Sequence, residues 1–367
     1  MQITAAVVNE QGGDFELKTV DLGDPQSGEV LVEIQAVGLC HTDIGVQHGH
    51  LPFPFPAVLG HEGAGVVSAV GDGVTKVAPG DKVALTFNSC GQCTSCKDDA
   101  PAYCHEFMGL NFAGVRLDGS ASLTSDGAAM GSNFFGQSSF GTRAIANERN
   151  VVRLPDDADP VLAAPLGCGV QTGAGAVLNT FQCPAGSSLL VLGGGSVGLS
   201  AAMAGAANSL GVIIVVEPMA SRRDLALEVG ATHALDPADG SIAEQVRALS
   251  PAGVDYVIDT TGVPAVIQDA FGALAHRGQV GLIGMPVDPE TVLPLPVIPA
   301  QVLGASVRGI VEGDSDPDTF IPQLIELHRA GRFPYDKLIA TRSFSDINDA
   351  VAAQAKGEAV KIVLVHA

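Results

Sequence analysis

The sequence predicts an α/β protein of two domains, in which a doubly wound parallel sheet accompanies a mostly antiparallel β domain. The chain has 367 residues, which is too long for one ordinary domain and suits two. Apolar residues make up 46% of it, which favours packed globular structure over disorder. The pattern of apolar residues also changes near Ser187, and this change divides the two predicted domains.

The first 160 or so residues contain short β-branched runs separated by Gly, Pro and Asp. These runs are ITAAVV, EVLVEIQAVG, GAGVVSAVG, DKVALTF and NVVRL. Short strands divided by turn residues are typical of an irregular, barrel-like antiparallel domain.

From Ser187 onward, strands alternate with helices of ten to fifteen residues. The predicted strands include SLLVLG, VIIVVE, ATHALD, VDYVID and QVGLIG, and the helices include VGLSAAMAGAANSLG, SRRDLALEVG, SIAEQVRALS and PAVIQDAFGALA. This alternation indicates a parallel, doubly wound sheet. After Val311 come an amphipathic helix, FIPQLIELHRAG, and a strand, KIVLV, which we expect to return to the first domain.

The charge of the chain excludes several classes of partner. Its 19 Lys and Arg residues face 40 Asp and Glu residues, a formal charge of −21 that would repel nucleic acid and anionic membranes. No charged side chain occurs from Pro160 to Val216, but glycines and Asn208 divide this stretch into buried strand and helix rather than a membrane span. The first ten residues show no export signal, so we expect a cytoplasmic protein.

Four of the seven cysteines form a short-spaced cluster, C-G-Q-C-T-S-C-x7-C. They are Cys90, Cys93, Cys96 and Cys104. Four thiols on one loop can all reach one zinc ion, and four thiolates leave that ion no open position, so the predicted site is structural. Disulfides or free buried thiols are the alternatives, which a reducing cytosol and the short spacing oppose. Local spacing gives Cys40, Cys168 and Cys183 no partner.

A glycine-rich turn follows the strand SLLVL and opens a helix. Its residues are Gly193, Gly194, Gly195, Ser196, Val197 and Gly198. This G-x-G-x-x-G pattern lets a pyrophosphate approach the helix N-terminus. Glu217 ends the next strand, where a carboxylate would bind the adenosine ribose hydroxyls and repel a 2′-phosphate. The sequence therefore predicts NAD, although Arg222 and Arg223 nearby keep NADP open.

With these two motifs in this order, the chain resembles the zinc-dependent medium-chain alcohol dehydrogenases over nearly its whole length. It looks most like the aryl-alcohol (benzyl-alcohol) dehydrogenases, through the segments GLCHTD, FPAVLGHEGAGVV, ALTFNSCGQC, NFFGQSSF, GCGVQTGAGAV, RGIVEGDS and GRFPYDKL. The resemblance implies a Rossmann NAD-binding domain, residues 170–311, inserted into a GroES-like catalytic domain, residues 1–169 and 312–367, that carries two zinc sites.

The resemblance also implies a catalytic zinc site. The family's ligands map onto Cys40, onto His61 in the G-H-E-x-x-G motif, and onto Cys168, the ligand set known for alcohol dehydrogenases. Two thiolates and a neutral imidazole cancel the ion's charge and leave its fourth position open to an alcohol oxygen. Zinc lowers the pKa of such an oxygen, and the alkoxide expels hydride toward the nicotinamide.

Further residues gain roles from the resemblance. Asp43 is expected to orient His61, and Glu62 to lie behind the metal, although either could be an ordinary satisfied carboxylate. Thr42 corresponds to the hydroxyl residue that takes the alcohol proton and passes it to the ribose. Cys183 matches neither metal set and is expected to be structural.

Four residues are expected to contact the cofactor. Thr172 and Val197 correspond to residues that pack on the nicotinamide, although Thr in a turn and Val at a helix start are common. His41 and Lys361 match cations that contact the pyrophosphate.

One position departs from the liver-type enzymes. The proton relay there ends in a histidine five positions after the first zinc ligand, and Gly45 occupies that position in this chain. We expect either that the ribose passes the proton directly to water or that His48 substitutes. Aryl-alcohol members also tend to lack that histidine.

The substrate predicted from these features is a benzylic or allylic primary alcohol. Candidates for an apolar wall, each of which could equally be core, are Phe53, Phe55, Phe87, Phe112 and Phe135. An aliphatic alcohol, a polyol or a formaldehyde–thiol adduct is the alternative substrate. Two other functions, a zinc-loop binding module and a zinc-free reductase, are opposed by the charge and by the complete ligand set.

We also expect a homodimer or homotetramer. The segment PLPVIPAQVLGASV, near Leu295 to Val307, is an apolar run that would be costly as a bare sheet edge. Pairing of two such edges would cover it.

Overall fold

The computed structural model describes residues 1–366, which form two compact units. The first comprises Met1–Cys168, Asp316–Pro322 and the chain from Leu338 onward; the second comprises Gly169–Ser315 and Gln323–Lys337. Residues 323–337 thus group with the second unit, whereas the sequence analysis placed the whole tail in the first. Residues 323–337 contact the second unit directly, because Lys337 pairs with Glu228 and Arg332 donates to the carbonyl of Ala207.

Strands are distributed over the whole chain. In sequence order they are β1 Gln2–Val8, β2 Phe15–Leu22, β3 Glu29–Leu39, β4 Ala57–Val58, β5 Gly63–Val70, β6 Lys82–Leu85, β7 Leu123–Ser125, β8 Ala128–Ala129, β9 Arg143–Asn147, β10 Val151–Arg153, β11 Ser188–Leu192, β12 Val212–Val216, β13 His233–Leu235, β14 Val254–Asp259, β15 Leu274–Leu282, β16 Ser306–Gly309, β17 Ile339–Ser343 and β18 Lys361–Val365.

The α-helices are short in the first half of the chain and longer in the second. They are α1 His41–Gln47, α2 Thr94–Lys97, α3 Phe107–Phe112, α4 Pro160–Ala163, α5 Gly169–Gly175, α6 Ser196–Ala207, α7 Ala220–Glu228, α8 Ile242–Leu249, α9 Pro264–Phe271, α10 Val297–Leu303, α11 Pro317–Arg329 and α12 Ile347–Ala355. No single helix in residues 1–366 is long and apolar enough to cross a membrane, and one bent pair of short helices passes on length and composition only.

The first unit is built on two mostly antiparallel sheets. One has the order β4-β1-β2-β7-β8; the other has β10-β6-β5-β3-β18-β17, with β9 also paired to β3. The predicted last strand, β18, does return to this unit and pairs antiparallel with β3. Its core contains the inward side chains of these strands, among them Val32, Val67 and Ile362.

The second unit is built on a six-stranded parallel sheet of order β13-β12-β11-β14-β15-β16. Four of the five residues of β11, Leu189–Leu192, are fully buried, as expected for a strand covered on both faces. The two units together confirm the predicted fold class, a Rossmann-type parallel sheet with a GroES-like, mostly antiparallel β domain.

The apolar run after Leu295 is not one sheet edge as predicted. Val297–Leu303 forms helix α10, and only Ser306–Gly309 joins the sheet, as its edge strand β16. Proline explains the difference, because Pro294, Pro296 and Pro299 lack the N–H that a sheet ladder needs.

Candidate functional site

Three separated segments of the first unit bring metal-ligand side chains together. Cys40 precedes α1, His61 lies between β4 and β5, and Cys168 ends the unit's N-terminal segment. One ligand atom from each of them, and one from Glu62, all lie within 4.8 Å of one another. The structure therefore places Cys40, His61 and Cys168 together, as the resemblance implied and as local spacing could not.

Asp43 joins two of these segments. It is fully buried, and its Oδ1 lies 2.9 Å from His61 Nδ1 while accepting the Gly60 N–H at 3.0 Å. Its Oδ2 accepts the Cys40 N–H at 3.0 Å. The carboxylate thus assigns the proton of His61 to Nδ1 and leaves Nε2 available, the orientation that a metal-bound histidine needs.

The donor set fits a zinc ion. His61 Nε2 is buried and has no hydrogen-bond partner within residues 1–366, although it lies beside two cysteine sulfurs. A buried polar nitrogen is normally satisfied, and zinc accepts nitrogen and thiolate ligands together. One observation from the structure thus supports the predicted ligand set independently of the resemblance.

The charges of this cluster also suit a cation. A hydrogen bond from Cys168 holds the pKa of Cys40 well below its usual range, against the effect of burial. Burial disfavours the protonated form of His61, yet the charges of Asp43 and Cys40 outweigh it and raise the histidine pKa well above its usual range. Both shifts show that this cluster concentrates negative charge beside His61, which a divalent cation would neutralise.

Glu62 and Lys361 form a buried ion pair behind this cluster. Glu62 is fully buried and Lys361 is 2% exposed, and the ammonium also donates to the Leu39 carbonyl at 3.1 Å. Burial raises the pKa of Glu62 to about 7, while Lys361 opposes the rise. A Cβ at Gly38 would overlap the carboxylate, so glycine is needed there. A pyrophosphate contact, as predicted for Lys361, would have to share its ammonium with Glu62.

The four-cysteine loop also has the geometry of a metal site. The sulfurs of Cys90, Cys93, Cys96 and Cys104 lie within 4.8 Å of one another, and Cys90 Sγ lies 3.9 Å from Cys96 Sγ. Four sulfurs at a Zn–S distance of about 2.3 Å would be about 3.8 Å apart in a tetrahedron, whereas a disulfide needs about 2.05 Å. All four are free thiols, so the disulfide alternative is wrong.

Backbone amides support thiolates on this loop. The Cys90 N–H donates to Cys104 Sγ at 3.2 Å, and the Cys93 N–H donates to Cys90 Sγ at 3.3 Å. Backbone hydrogen bonds lower the pKa of Cys93 to about 6, while burial raises the pKa of Cys104 to about 12. The buried sulfur thus needs a cation to become a thiolate, which a zinc ion would supply.

The glycine-rich turn of the second unit has the predicted form. It joins the end of β11 to α6. Gly193 has a φ of +100°, and Gly195 is the residue that precedes the helix. Glu217 follows β12 and is 4% exposed; its Oε2 accepts the Gly194 N–H at 2.7 Å, and its Oε1 accepts the Met219 N–H at 2.9 Å. The acidic group therefore lies against the turn, with Val197 in the first turn of α6.

The two arginines near Glu217 differ. Arg223 pairs with Asp236 at 2.8 Å and donates to the carbonyls of Glu217 and Pro218, so its charge is engaged. The Nε of Arg222 is buried and has no hydrogen-bond partner among the described residues. The NADP alternative therefore depends on Arg222.

The remaining predicted site residues are spread over both units. Thr172, on α5, is buried and its hydroxyl donates to Glu312 Oε2 at 3.4 Å. Thr42 Oγ1 lies 3.7 Å from Cys40 Sγ. His41 and His48 are exposed at the two ends of α1. Cys183 is fully buried, burial raises its pKa to about 12, and it belongs to neither cysteine cluster.

Phenylalanines surround the His61 ring. Phe135 stacks on it, with centroids 4.4 Å apart, and Phe134 meets it edge-on at 5.4 Å. Phe112 packs on both of these rings and Phe53 packs on Phe134. Phe87 lies at the edge of the group, with its ring against that of Phe107. Phe55 makes no ring contact with the group in the described part of the chain. The sequence analysis missed Phe107 and Phe134, although Phe134 adjoins Phe135 in the NFFGQSSF segment.

Comparisons with known proteins agree with this geometry. Residues 26–156 match the family model "Alcohol dehydrogenase GroES-like domain", and residues 196–329 match "Zinc-binding dehydrogenase". The chain is 46% identical to a geraniol dehydrogenase of Castellaniella defragrans over 98% of this chain and 97% of that one. It is similar to the structure of benzyl alcohol dehydrogenase from Acinetobacter calcoaceticus, with 38% identity, a TM-score of 0.97 and full coverage of both chains. A zinc-binding alcohol dehydrogenase domain protein from Burkholderia ambifaria has 44% identity and a TM-score of 0.97, over 100% of this chain and 99% of that one.

Proposed function

The chain belongs to the zinc-dependent alcohol dehydrogenases, and we propose that it interconverts primary aromatic or allylic alcohols and their aldehydes with NAD. The observation that carries the proposal is the grouping of Cys40, His61 and Cys168, with phenylalanine rings packed around the histidine. The similar geraniol and benzyl alcohol dehydrogenases act, by their names, on an allylic and an aromatic alcohol.

Cys40, His61 and Cys168 would hold the catalytic zinc, and the four-cysteine loop the structural one. Bound zinc lowers the pKa of an alcohol hydroxyl and polarises an aldehyde carbonyl. Asp43 keeps His61 Nε2 directed at the metal position through its contact with Nδ1. Glu62 would tune exchange at that position, with Lys361 balancing its charge.

Thr42 would accept the proton of the alcohol, since its hydroxyl lies beside Cys40 Sγ. After Thr42, the proton has two candidate routes to solvent. Gly45 has no side chain to carry a proton, and His48 lies exposed at the end of the same helix. We propose that the proton leaves either through the cofactor ribose directly to water or by way of His48.

The second unit would bind NAD. The turn from Gly193 to Gly198 would receive the pyrophosphate at the N-terminus of α6. The carboxylate of Glu217 on that turn favours ribose hydroxyls over a 2′-phosphate. Arg223 is already paired with Asp236, so its charge is not free to bind such a phosphate. Thr172 and Val197 would pack on the nicotinamide, and His41 would contact the pyrophosphate.

We further propose a homodimer or homotetramer. Helix α10 exposes three apolar side chains, with Val297 67%, Ile298 72% and Val302 69% exposed, and the edge strand β16 exposes Val307, at 39%. Pairing of two β16 edges would cover this surface.

A substrate panel tests the proposed function. The purified enzyme would be assayed at the nicotinamide absorbance with benzyl alcohol, geraniol, ethanol, sorbitol and S-(hydroxymethyl)glutathione, each with NAD and with NADP. We expect kcat/KM to be highest for benzyl alcohol or geraniol with NAD. A preference for ethanol, sorbitol or the glutathione adduct would refute the substrate class.

A metal assay tests the site separately. The wild-type chain should hold two zinc ions, and a Cys168→Ser variant should hold one and lose turnover. Undiminished turnover after replacement of Cys40, His61 and Cys168 together would refute the catalytic assignment.

A further inference from the structure

Two zinc-ligand segments are joined by a buried amide that is not itself a ligand. Gln137 is 2% exposed, and its Nε2 donates to the His61 carbonyl at 2.9 Å and to the Thr86 carbonyl at 3.1 Å. Its Oε1 accepts the Gly63 N–H at 3.1 Å. One amide proton and the amide oxygen therefore hold the backbone on either side of Glu62, and the other amide proton ties this backbone to Thr86.

Thr86 continues this connection to the third ligand. It is fully buried just after β6, and its hydroxyl donates to the Gly167 carbonyl at 2.7 Å. That carbonyl belongs to the peptide bond that leads into Cys168, so the hydroxyl fixes the plane from which the ligand projects. Asn150 Nδ2 is a second donor to the Thr86 carbonyl, at 3.2 Å, beside the Gln137 amide.

The loop that carries Gln137 is held in an uncommon conformation. Asn133, Phe135 and Ser138 have φ of 58°, 50° and 53°, a region that non-glycine residues rarely occupy. Such a conformation persists only where surrounding contacts enforce it, and these conformations cluster at functional sites. In this protein the loop delivers the Gln137 amide to the backbone of His61 and the Phe135 ring to its face.

We propose that Gln137 and Thr86 are positioning residues for the catalytic zinc ligands. They set the separation between His61 and Cys168, as Asp43 sets the separation between Cys40 and His61. The inference rests on the proposed function, because it requires these three residues to bind the metal. Outer partners of zinc ligands typically contribute about 10- to 100-fold in metal affinity, and we assign this pair that role.

Two near-isosteric substitutions test the assignment. Thr86→Val removes the hydroxyl that donates a hydrogen bond to the Gly167 carbonyl, and Gln137→Met removes all three hydrogen bonds of the amide. Thr86→Ser keeps the hydroxyl and is the conservative rescue. Ser250→Ala is the control, because Ser250 in the second unit also donates to a carbonyl, that of Gly253, at 2.6 Å.

The measurement is zinc release from each holoenzyme into a chelating indicator, together with the visible spectrum of the cobalt-substituted protein. In Thr86→Val and Gln137→Met, we expect one ion per chain to leave about 10- to 100-fold faster, with the second unchanged. The cobalt ligand-field bands should shift in the same two variants. Thr86→Ser and Ser250→Ala should match the wild type in both readouts.

Several results would overturn the inference. Release of both ions at wild-type rates would do so, and so would equal acceleration of both ions in proportion to a loss of unfolding free energy in urea. If Gln137→Met does not fold, Thr86→Val alone decides, because it replaces only the hydroxyl with a methyl group of similar size.

A parallel measurement separates this inference from the proposed function. Cys168→Ser should bind one zinc ion in the same assay. Two ions in that variant would refute the proposed catalytic site itself. One ion in that variant, with wild-type release from Thr86→Val and Gln137→Met, would refute only the positioning role.

Discussion

Replacing Asp43 by Asn tests the central geometry of the candidate catalytic site. The carboxylate accepts three buried donors, from His61 Nδ1, the Gly60 N–H and the Cys40 N–H. An asparagine has one oxygen, so if that oxygen keeps His61 and Gly60, its amide nitrogen faces the Cys40 N–H as a second donor. The Cys40 amide then loses its acceptor in the protein interior.

Two effects follow from this change. A buried donor without a partner destabilises the fold by about 1 to 3 kcal/mol. Loss of the negative charge on the outer side of His61 weakens zinc binding by about 10- to 100-fold. At about 1.36 kcal/mol for each factor of ten, the second effect is about 1.4 to 2.7 kcal/mol. We therefore expect a total loss of about 2 to 6 kcal/mol in the zinc-bound protein.

Urea unfolding in the presence and absence of zinc separates the two effects. The zinc-free comparison measures the orphaned amide together with the lost charge interaction between Asp43 and His61, and the difference between the two series measures the change in metal binding. Asp159→Asn is the matched control, since Asp159 is exposed and only accepts the Val161 N–H at the start of α4, where asparagine is an equally good cap. Wild-type stability and zinc release in Asp43→Asn would refute the reasoning.

Three further predictions concern other parts of the chain. Burial lowers the pKa of His366 to about 4, so the folded state holds this side chain neutral. The unfolded chain binds a proton below a pKa of about 6.5, so the unfolding free energy is highest above that pH and falls as the pH decreases toward 4. Because His366 is partly exposed, we expect only part of this effect. The unfolding free energy should fall by about 1 kcal/mol more between pH 7 and pH 5 in the wild type than in His366→Phe. Equal pH dependence of the two proteins would contradict this. Glu217→Ala should raise the KM for NAD and reduce the preference over NADP, measured as a ratio of kcat/KM; an unchanged ratio would show that the carboxylate does not select the cofactor. Gly45→His, whose Cβ would meet nothing within 4 Å, and His48→Ala should each shift the pH profile of alcohol oxidation, and two unshifted profiles would exclude a histidine relay at either position.

Local patterns were sufficient for much of the fold. The runs around Leu190 and Val215 are apolar throughout, as strands buried on both faces require, and both lie in the parallel sheet. The glycine-rich turn and Glu217 also carry local signals, since a tight turn and a strand end occur at fixed spacings. The run after Leu295 is not a continuous strand, because hydrophobicity alone cannot distinguish an apolar helix from an apolar edge and its prolines cannot donate to a sheet ladder.

The candidate catalytic ligand set shows where local patterns stop being sufficient. Cys40, His61 and Cys168 lie on three distant segments, and nothing within ten residues of any one of them predicts the other two. The resemblance supplied their grouping, and the topology explains it, because β3, the β4–β5 connection and the end of the unit's first segment meet in one place. Gln137 and Thr86 were missed for the same reason, since an amide and a hydroxyl bonded to backbone carbonyls leave no periodic signal.

The two candidate zinc sites therefore bring their ligands together by different means. On the four-cysteine loop, ligands only a few residues apart are brought together by short turns and by N–H groups of that same loop. The scattered site has no such local constraint, so its ligands depend on the fold of the whole unit. Asp43 holds the Cys40 and His61 segments, and Gln137 with Thr86 holds the His61 and Cys168 segments. Because each connection is a small number of buried hydrogen bonds, we expect single isosteric substitutions to loosen the candidate catalytic site and to leave the loop site intact.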